Sequence, residues 1–92
     1  MIFTVVWSQN AIIDLSELWL VSPNRRLITR AADAIDTTLR IDPVLRGETY
    51  TVSTRLLTIP PLLVLYRIID EDRMVRILSI QPTPPSTQSY EP

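Results

Sequence analysis

The stretch Leu62-Leu63-Val64-Leu65-Tyr66-Arg67-Ile68-Ile69, then Asp70-Glu71-Asp72-Arg73, then Met74-Val75-Arg76-Ile77-Leu78-Ser79-Ile80, decides the fold. Two runs rich in β-branched and aromatic residues flank four polar ones, which is the pattern of an antiparallel hairpin. The first run is apolar on almost both faces, as a central strand is. With Asp70 to Arg73 as a four-residue loop, Ile69 faces Met74, Arg67 faces Arg76 and Leu65 faces Leu78. Tyr66 against Ile77 and Ile68 against Val75 then form the buried face.

Upstream, the segment from Tyr50 to Leu56 alternates, with Tyr50, Val52 and Leu56 on one side and Thr51, Ser53 and Arg55 on the other. Pro60-Pro61 closes it. A register that keeps Arg55 off the face of Tyr66 and Ile68 places Ser53 opposite Arg67 and Arg55 beside Leu65. Arg55, Arg67 and Arg76 then share one sheet face with Leu63, Leu65, Leu78 and Ile80.

The amino-terminal half is helical after a short strand. Ile2 to Trp7 reads as a strand, and Ser8 is a good N-cap. From Gln9 to Leu20, Ile12, Leu15 and Trp19 recur at helical spacing. Ser22-Pro23 predicts a second start, with proline at the first helical position. That helix runs from about Pro23 to Ile41 on a stripe of Leu27/Ile28, Ala31, Ile35 and Leu39, and Asp42-Pro43 ends it. The order is therefore β-α-α-β-β-β: a two-layer α+β domain with a helical hairpin packed on a twisted antiparallel sheet. Trp19, Ile35, Leu39, Tyr66 and Ile77 are the expected core. One domain spans residues 1–81, and residues 82–92 form a mobile proline-rich tail.

Composition narrows the chemistry. The chain has 92 residues, a net charge of −1, one glycine, eight prolines, no cysteine and no histidine. A domain this small buries only about 60–65% of its unfolded surface, so every element must serve a single core. The single glycine excludes phosphate loops and dinucleotide fingerprints. Without Cys or His there is no thiol nucleophile, no usual catalytic triad and no common zinc site. All nine basic residues are Arg, so lysine bases and Schiff bases are excluded as well. No cofactor, metal or small-molecule ligand is expected. The start lacks a signal-peptide pattern, and the longest apolar run is too short to cross a bilayer, so a cytoplasmic protein without membrane contact is expected.

The arginines are the one constellation that points to function. Arg67 opposite Arg76 places like charges across a strand pair, which is unfavourable unless something answers them. Either loop carboxylates or the solvent neutralise them, or the face docks phosphate or an acidic partner. Its apolar half suits an amphipathic protein segment better than bare nucleic acid. Ser53, Arg55, Leu65, Arg67, Arg76 and Leu78 are the candidate partner-binding residues. Arg55, Arg67 and Arg76 are the weak candidates for catalysis.

Several of these motifs occur together in one known family. The strand ending Trp7-Ser8, the helix Ala11-Ile12-Ile13-Asp14-Leu15 and the helix closed by Asp42-Pro43 resemble the RelE/ParE toxins of type II toxin–antitoxin modules, the plasmid-stabilisation type. Thr54-Arg55-Leu56, the spacer, Pro61 to Asp70 and Val75 to Ile80 are similar to the family's arginine–spacer–"valine-x-tyrosine" hairpin. The resemblance spans about residues 2–82. It implies the fold just described, a cognate antitoxin as partner, and the ribosome (RelE type, messenger RNA cleavage) or DNA gyrase (ParE type) as target. Thr51 and Ser53 stand where RelE-type nucleases carry lysines, a site matching a further basic residue holds Leu63 or a neighbour, and Gln81-Pro82-Thr83 replaces a basic, aromatic end. Glu48 and Tyr90 are the remaining candidates for a base. The resemblance therefore favours a ParE-like or catalytically degenerate toxin; a RelE-type nuclease and a non-toxic interaction module of the same fold are the alternatives.

Overall fold

The computed structural model describes residues 2–83. The chain runs β1 (Thr4–Trp7), α1 (Gln9–Val21), α2 (Arg25–Arg40), β2 (Glu48–Thr49), β3 (Thr54–Ile59), β4 (Leu62–Ile69) and β5 (Met74–Pro82). The five strands form one sheet in the order β1-β5-β4-β3-β2. Both helices pack on one face of it, so the two-layer α+β architecture is as expected. Three strand pairs are antiparallel, while β1 adds to β5 in parallel, from Thr4 with Met74 to Trp7 with Ile77. The parallel pair follows from the helical hairpin, which returns the chain to its starting end before β2 begins.

Local chemistry explains the elements. Ser8 caps α1, its hydroxyl accepting from the Ala11 N–H at 3.1 Å. The cap of α2 is Asn24, not Ser22, with its side-chain oxygen accepting from the Leu27 N–H at 3.1 Å. Ser22 and Pro23 belong instead to the connection, where the Ser22 hydroxyl accepts from the Asn24 N–H. α2 is strongly two-faced: Ile28, Ala31, Ile35 and Leu39 are buried, and its charged residues lie off that stripe. Asp42 ends the helical segment in the left-handed region at φ 50°.

The core joins that stripe to Leu62, Val64 and Tyr66 of β4 and Val75, Ile77 and Ile80 of β5, with Phe3 and Ala11 completing it. Ile35, Leu39, Tyr66 and Ile77 are wholly buried, as expected. Trp19 is not: it is 39% exposed, with the Arg25 guanidinium 4.5 Å over its ring. Arg25 also donates to the Trp19 and Leu20 carbonyls at 3.1 Å each, answering the open end of α1.

Two registers differ from expectation. The loop at Asp70 to Arg73 gives Ile69–Met74, Arg67–Arg76, Ile68–Val75 and Tyr66–Ile77 as anticipated, but a bulge beside Tyr66 then pairs Leu65 with Ser79 rather than Leu78. Ile80 consequently lies in the core instead of on the open face. In the other hairpin, Tyr50 to Ser53 form a turn, and the strand begins at Thr54. Ile59 pairs with Leu62 around Pro60-Pro61, so Thr54 faces Arg67 and Arg55 faces Tyr66. This is one residue from the register that placed Ser53 on Arg67 and Arg55 beside Leu65. The short strand β2 was not anticipated.

At the far end, β5 continues through Pro82, which pairs with Leu62, and the Thr83 N–H donates to the Pro61 carbonyl at 2.9 Å. Pro82 thus belongs to the sheet rather than to a tail, and Thr83 is tied to the turn before β4 by that bond. The remainder of the expected tail, Tyr90 included, lies outside the described residues.

Candidate partner-binding face

Cross-strand pairing sorts the sheet residues into rows. On the face away from the helices, Arg67 sits opposite Arg76, and Val6 of β1 is Arg76's other neighbour. The next row is Leu56, Leu65 and Ser79, and the one after it Thr58, Leu63 and Gln81. Leu56, Leu63, Leu65, Ser79, Gln81 and Tyr50 surround a shallow cavity of about 140 Å³. Leucines therefore floor a hollow beside two cations.

Among the described residues no carboxylate pairs with either cation. Arg67 and Arg76 are exposed, and the Arg40–Asp36 pair on α2 is the only ion pair among the described residues. Of the two expected ways of neutralising the arginines, loop carboxylates do not supply one; water reaches both side chains, which are exposed. Asp70, Glu71 and Asp72 occupy the tight turn at the hairpin's tip and pair with neither.

Arg55 has a different position and task. It lies across from Tyr66, on the opposite face from Arg67, so the three arginines do not form one cluster. Its Nε donates to the Arg46 carbonyl, and its two terminal nitrogens donate to the Gly47 carbonyl and the Thr49 hydroxyl, all at 3.1 Å. The Tyr66 hydroxyl, with one proton to give, lies 2.7 Å from the Arg46 carbonyl oxygen and 3.0 Å from that of Pro43. Burial raises the Tyr66 phenol above its ordinary pKa, against the opposing pull of the adjacent Arg55 guanidinium. Gly47 completes the knot. At φ +67° a Cβ there would meet the Leu56 carbonyl oxygen at 2.3 Å and the Tyr66 hydroxyl at 3.0 Å. Arg55 and Tyr66 thus hold the loop from Pro43 to Gly47 by its carbonyls.

The other expected site residues scatter. Leu65 stands on the open face beside the arginines. Ser53 lies in the exposed turn, its N–H donating to the Thr51 hydroxyl. Leu78 falls at the bulge, where its carbonyl accepts from the Ser8 hydroxyl at 3.3 Å, and the Ile80 N–H donates to Asp14 at 3.1 Å. These two bonds close the edge of β5 beyond the reach of β1. Leu56 and Tyr50 belong to the hollow and were not singled out from sequence. The signal was available: a two-residue turn at Pro60-Pro61 sets Leu56 opposite Leu65.

Glu48, the candidate base among the described residues, does not reach the cations. Glu48 pairs with Leu56 at the sheet edge. It is two strands from Arg67 and three from Arg76 and one row further along, so more than about 10 and 14 Å away at ordinary strand spacing. Among the described residues, no group of three or more acidic side chains could hold a metal ion. No helix among them is long and apolar enough to cross a membrane.

The fold defined by this arrangement is that of the RelE/ParE toxins. The toxin–antitoxin complex RelBE2 from Mycobacterium tuberculosis contains a chain that superposes with a TM-score of 0.75 at 23% identity, covering 90% of this chain and 93% of that one. A chain of the chromosomal ParDE system of P. aeruginosa gives 0.65 at 17% identity, covering 90% and 98%. The isolated RelE toxin of E. coli gives 0.59 at 15%, covering 95% and 90%. No family model matches the sequence, and no curated protein matches it.

Proposed function

We propose that this chain is the toxin of a type II toxin–antitoxin module, ParE-like or catalytically degenerate, and that a cognate antitoxin neutralises it by covering the open sheet face. The observation that carries the reading is the exposed Arg67–Arg76 pair beside the leucine hollow, with no carboxylate among the described residues pairing with either cation. An amphipathic segment with carboxylates at its margin would supply both missing partners, and desolvated charge-assisted bonds are the strong ones. The similar structures named RelBE2 and ParDE are toxin–antitoxin systems, which supports the same role here.

The same geometry argues against RNA cleavage. Transesterification at a 2′-hydroxyl needs a group to accept a proton, and arginine stays protonated at cellular pH. Arg55 is engaged with carbonyls, Glu48 is remote, and Thr51 and Ser53 are turn residues. A cytoplasmic target such as gyrase accords better with a face built for binding than for turnover.

The test is induced expression with and without the product of the neighbouring reading frame. Growth arrest relieved by that product, with inhibited supercoiling by gyrase and no codon-positioned cuts in primer extension, is the expected result. Cuts abolished by Arg67→Ala would restore the nuclease. Binding without growth arrest would make the chain an interaction module.

A further inference from the structure

An apolar groove lined by Leu15, Trp19, Leu20 and Ile28 opens between α1 and α2. The leucine hollow on the opposite side of the sheet differs from it in what the chain itself brings near. β5 ends at Pro82, paired with Leu62, and the Thr83 N–H is bonded to the Pro61 carbonyl. The chain is thus anchored one residue step beyond Leu63 and Gln81, which border the hollow. From Pro84 to Glu91 it continues Pro-Pro-Ser-Thr-Gln-Ser-Tyr-Glu. This stretch has one aromatic side chain, Tyr90, one carboxylate beside it, Glu91, and no cation.

An aromatic ring and an anion are what the open face lacks. Leucines floor the hollow and Tyr50, 60% exposed, stands at its rim, so a second ring meets aliphatic and aromatic surface together. Directly opposed residues on antiparallel strands have Cβ atoms about 4.5–5.5 Å apart. A single carboxylate, with two oxygens, can therefore accept from Arg67 and Arg76 at once. Reach permits the contact. The Arg67 row lies about 17 Å along β4 from Leu62 at ordinary strand rise. With Thr83 to Pro85 reversing the chain, Ser86 to Glu91 span up to about 20 Å when extended. In an extended segment that winds three residues to a turn, neighbouring side chains stand about 120° apart, and both can address one surface.

We infer that Ser86 to Glu91 fold back over the open sheet face, with the Tyr90 ring against Leu65 and the Glu91 carboxylate between Arg67 and Arg76. The chain then masks its own candidate partner-binding face, where a mobile tail was expected. An exposed ion pair adds little to stability, so this contact is read by position rather than by melting. The masking needs no partner and does not depend on the toxin reading. Combined with that reading it sets a threshold: a partner covering this face must first displace the segment, and its apparent affinity falls with the fraction of chains that are open.

The absence of cysteine gives a direct test. Gln88→Cys in the full chain takes a single nitroxide label, and amide signals are compared with the label oxidised and reduced. The expected result is that Arg67 and Arg76, at the far end of the face from Thr83, lose most of their intensity, while Ile13 and Leu20 on α1 lose far less. Glu91→Arg should return the signals at both positions, and adding Arg67→Glu and Arg76→Glu to it should bring the loss back. Unchanged signals from Ile35 and Leu39 establish that these variants fold. A loss confined to Leu62 and Gln81, or one insensitive to Glu91→Arg, overturns the inference and leaves the toxin reading, which is tested by growth, untouched. The same loss in an equimolar mixture of labelled chain and isotope-enriched unlabelled chain would give the segment to a second copy and overturn it as well.

Discussion

Arg55 and Arg67 stand on neighbouring strands, one residue out of step, and that single step gives them opposite fates. Arg55 sits across from Tyr66, where a bent loop presents two carbonyls and a hydroxyl at hydrogen-bond distance. Arg67 sits across from Arg76, where no acceptor within the described chain reaches it. A guanidinium supplied with three acceptors is a structural rivet. One faced by another cation, with no acceptor among the described residues, stays open to whatever approaches from solvent. Residue type alone therefore says little about an arginine's role; the acceptors around it decide.

Four experiments would break or sharpen that contrast. The largest effect is expected at Gly47, on the riveted side. Gly47→Val drives a Cβ into the Leu56 carbonyl and demands positive φ of a β-branched residue. A loss above about 4 kcal/mol is expected, so that denaturant melts show little folded protein. A cooperative melt near the parent's would show that the loop is not clamped. Arg55→Ala comes next: it removes three hydrogen bonds that tie the loop to β3 and should cost about 2 kcal/mol in the same measurement, water replacing the guanidinium at the exposed carbonyls.

Tyr66→Phe is a milder insult, expected at about 1–2 kcal/mol, because it removes one hydroxyl proton and leaves the ring packed. It also carries a pH signature. The folded phenol has a raised pKa, so the fold favours its neutral form. That contribution is fully present below the unfolded pKa near 10 and is lost as pH rises through the higher folded value. Parent stability should fall across that alkaline window, and Tyr66→Phe should flatten the fall. An equally steep decline in both proteins would remove Tyr66 as its source.

The smallest effect belongs to the open face. Arg76→Ala should change stability by no more than about 0.5 kcal/mol, and in the stabilising direction, since it relieves a like-charge pair. A loss as large as that of Arg55→Ala would mean that Arg76 has an intramolecular partner, and the contrast with Arg55 would collapse.

Much of this was legible before any coordinates. The stripe Ile28, Ala31, Ile35 and Leu39 announces the buried face of α2, and the four polar residues from Asp70 to Arg73 set the Arg67–Arg76 pair. Trp19 is exposed where the helical spacing predicts core, because periodicity cannot tell the side of an apolar helix that meets the sheet from the side that faces outward. α1 is apolar on both, and only Ala11 is fully buried there. Arg55 was misplaced for a related reason. Hydrophobic pattern argued for keeping a charge off the core face, and it was weighed above the turn, whose two prolines join Ile59 to Leu62.

What the sequence determined by itself, then, is whatever rests on neighbours along the chain: the Ser8 cap, the α2 stripe, the tight β4–β5 loop, and a chemistry without Cys, His or Lys. Tertiary structure alone decided which acceptors reach which arginine, that Asp14 and Ser8 close the edge of β5, and that an apolar groove stays open between the helices. The physical reason is distance along the chain. Caps, stripes and tight turns join residues a few positions apart, whereas the Tyr66 hydroxyl and the Pro43 carbonyl lie 23 residues apart, and Ile80 and Asp14 lie 66 apart. Such contacts exist only once the whole core has formed.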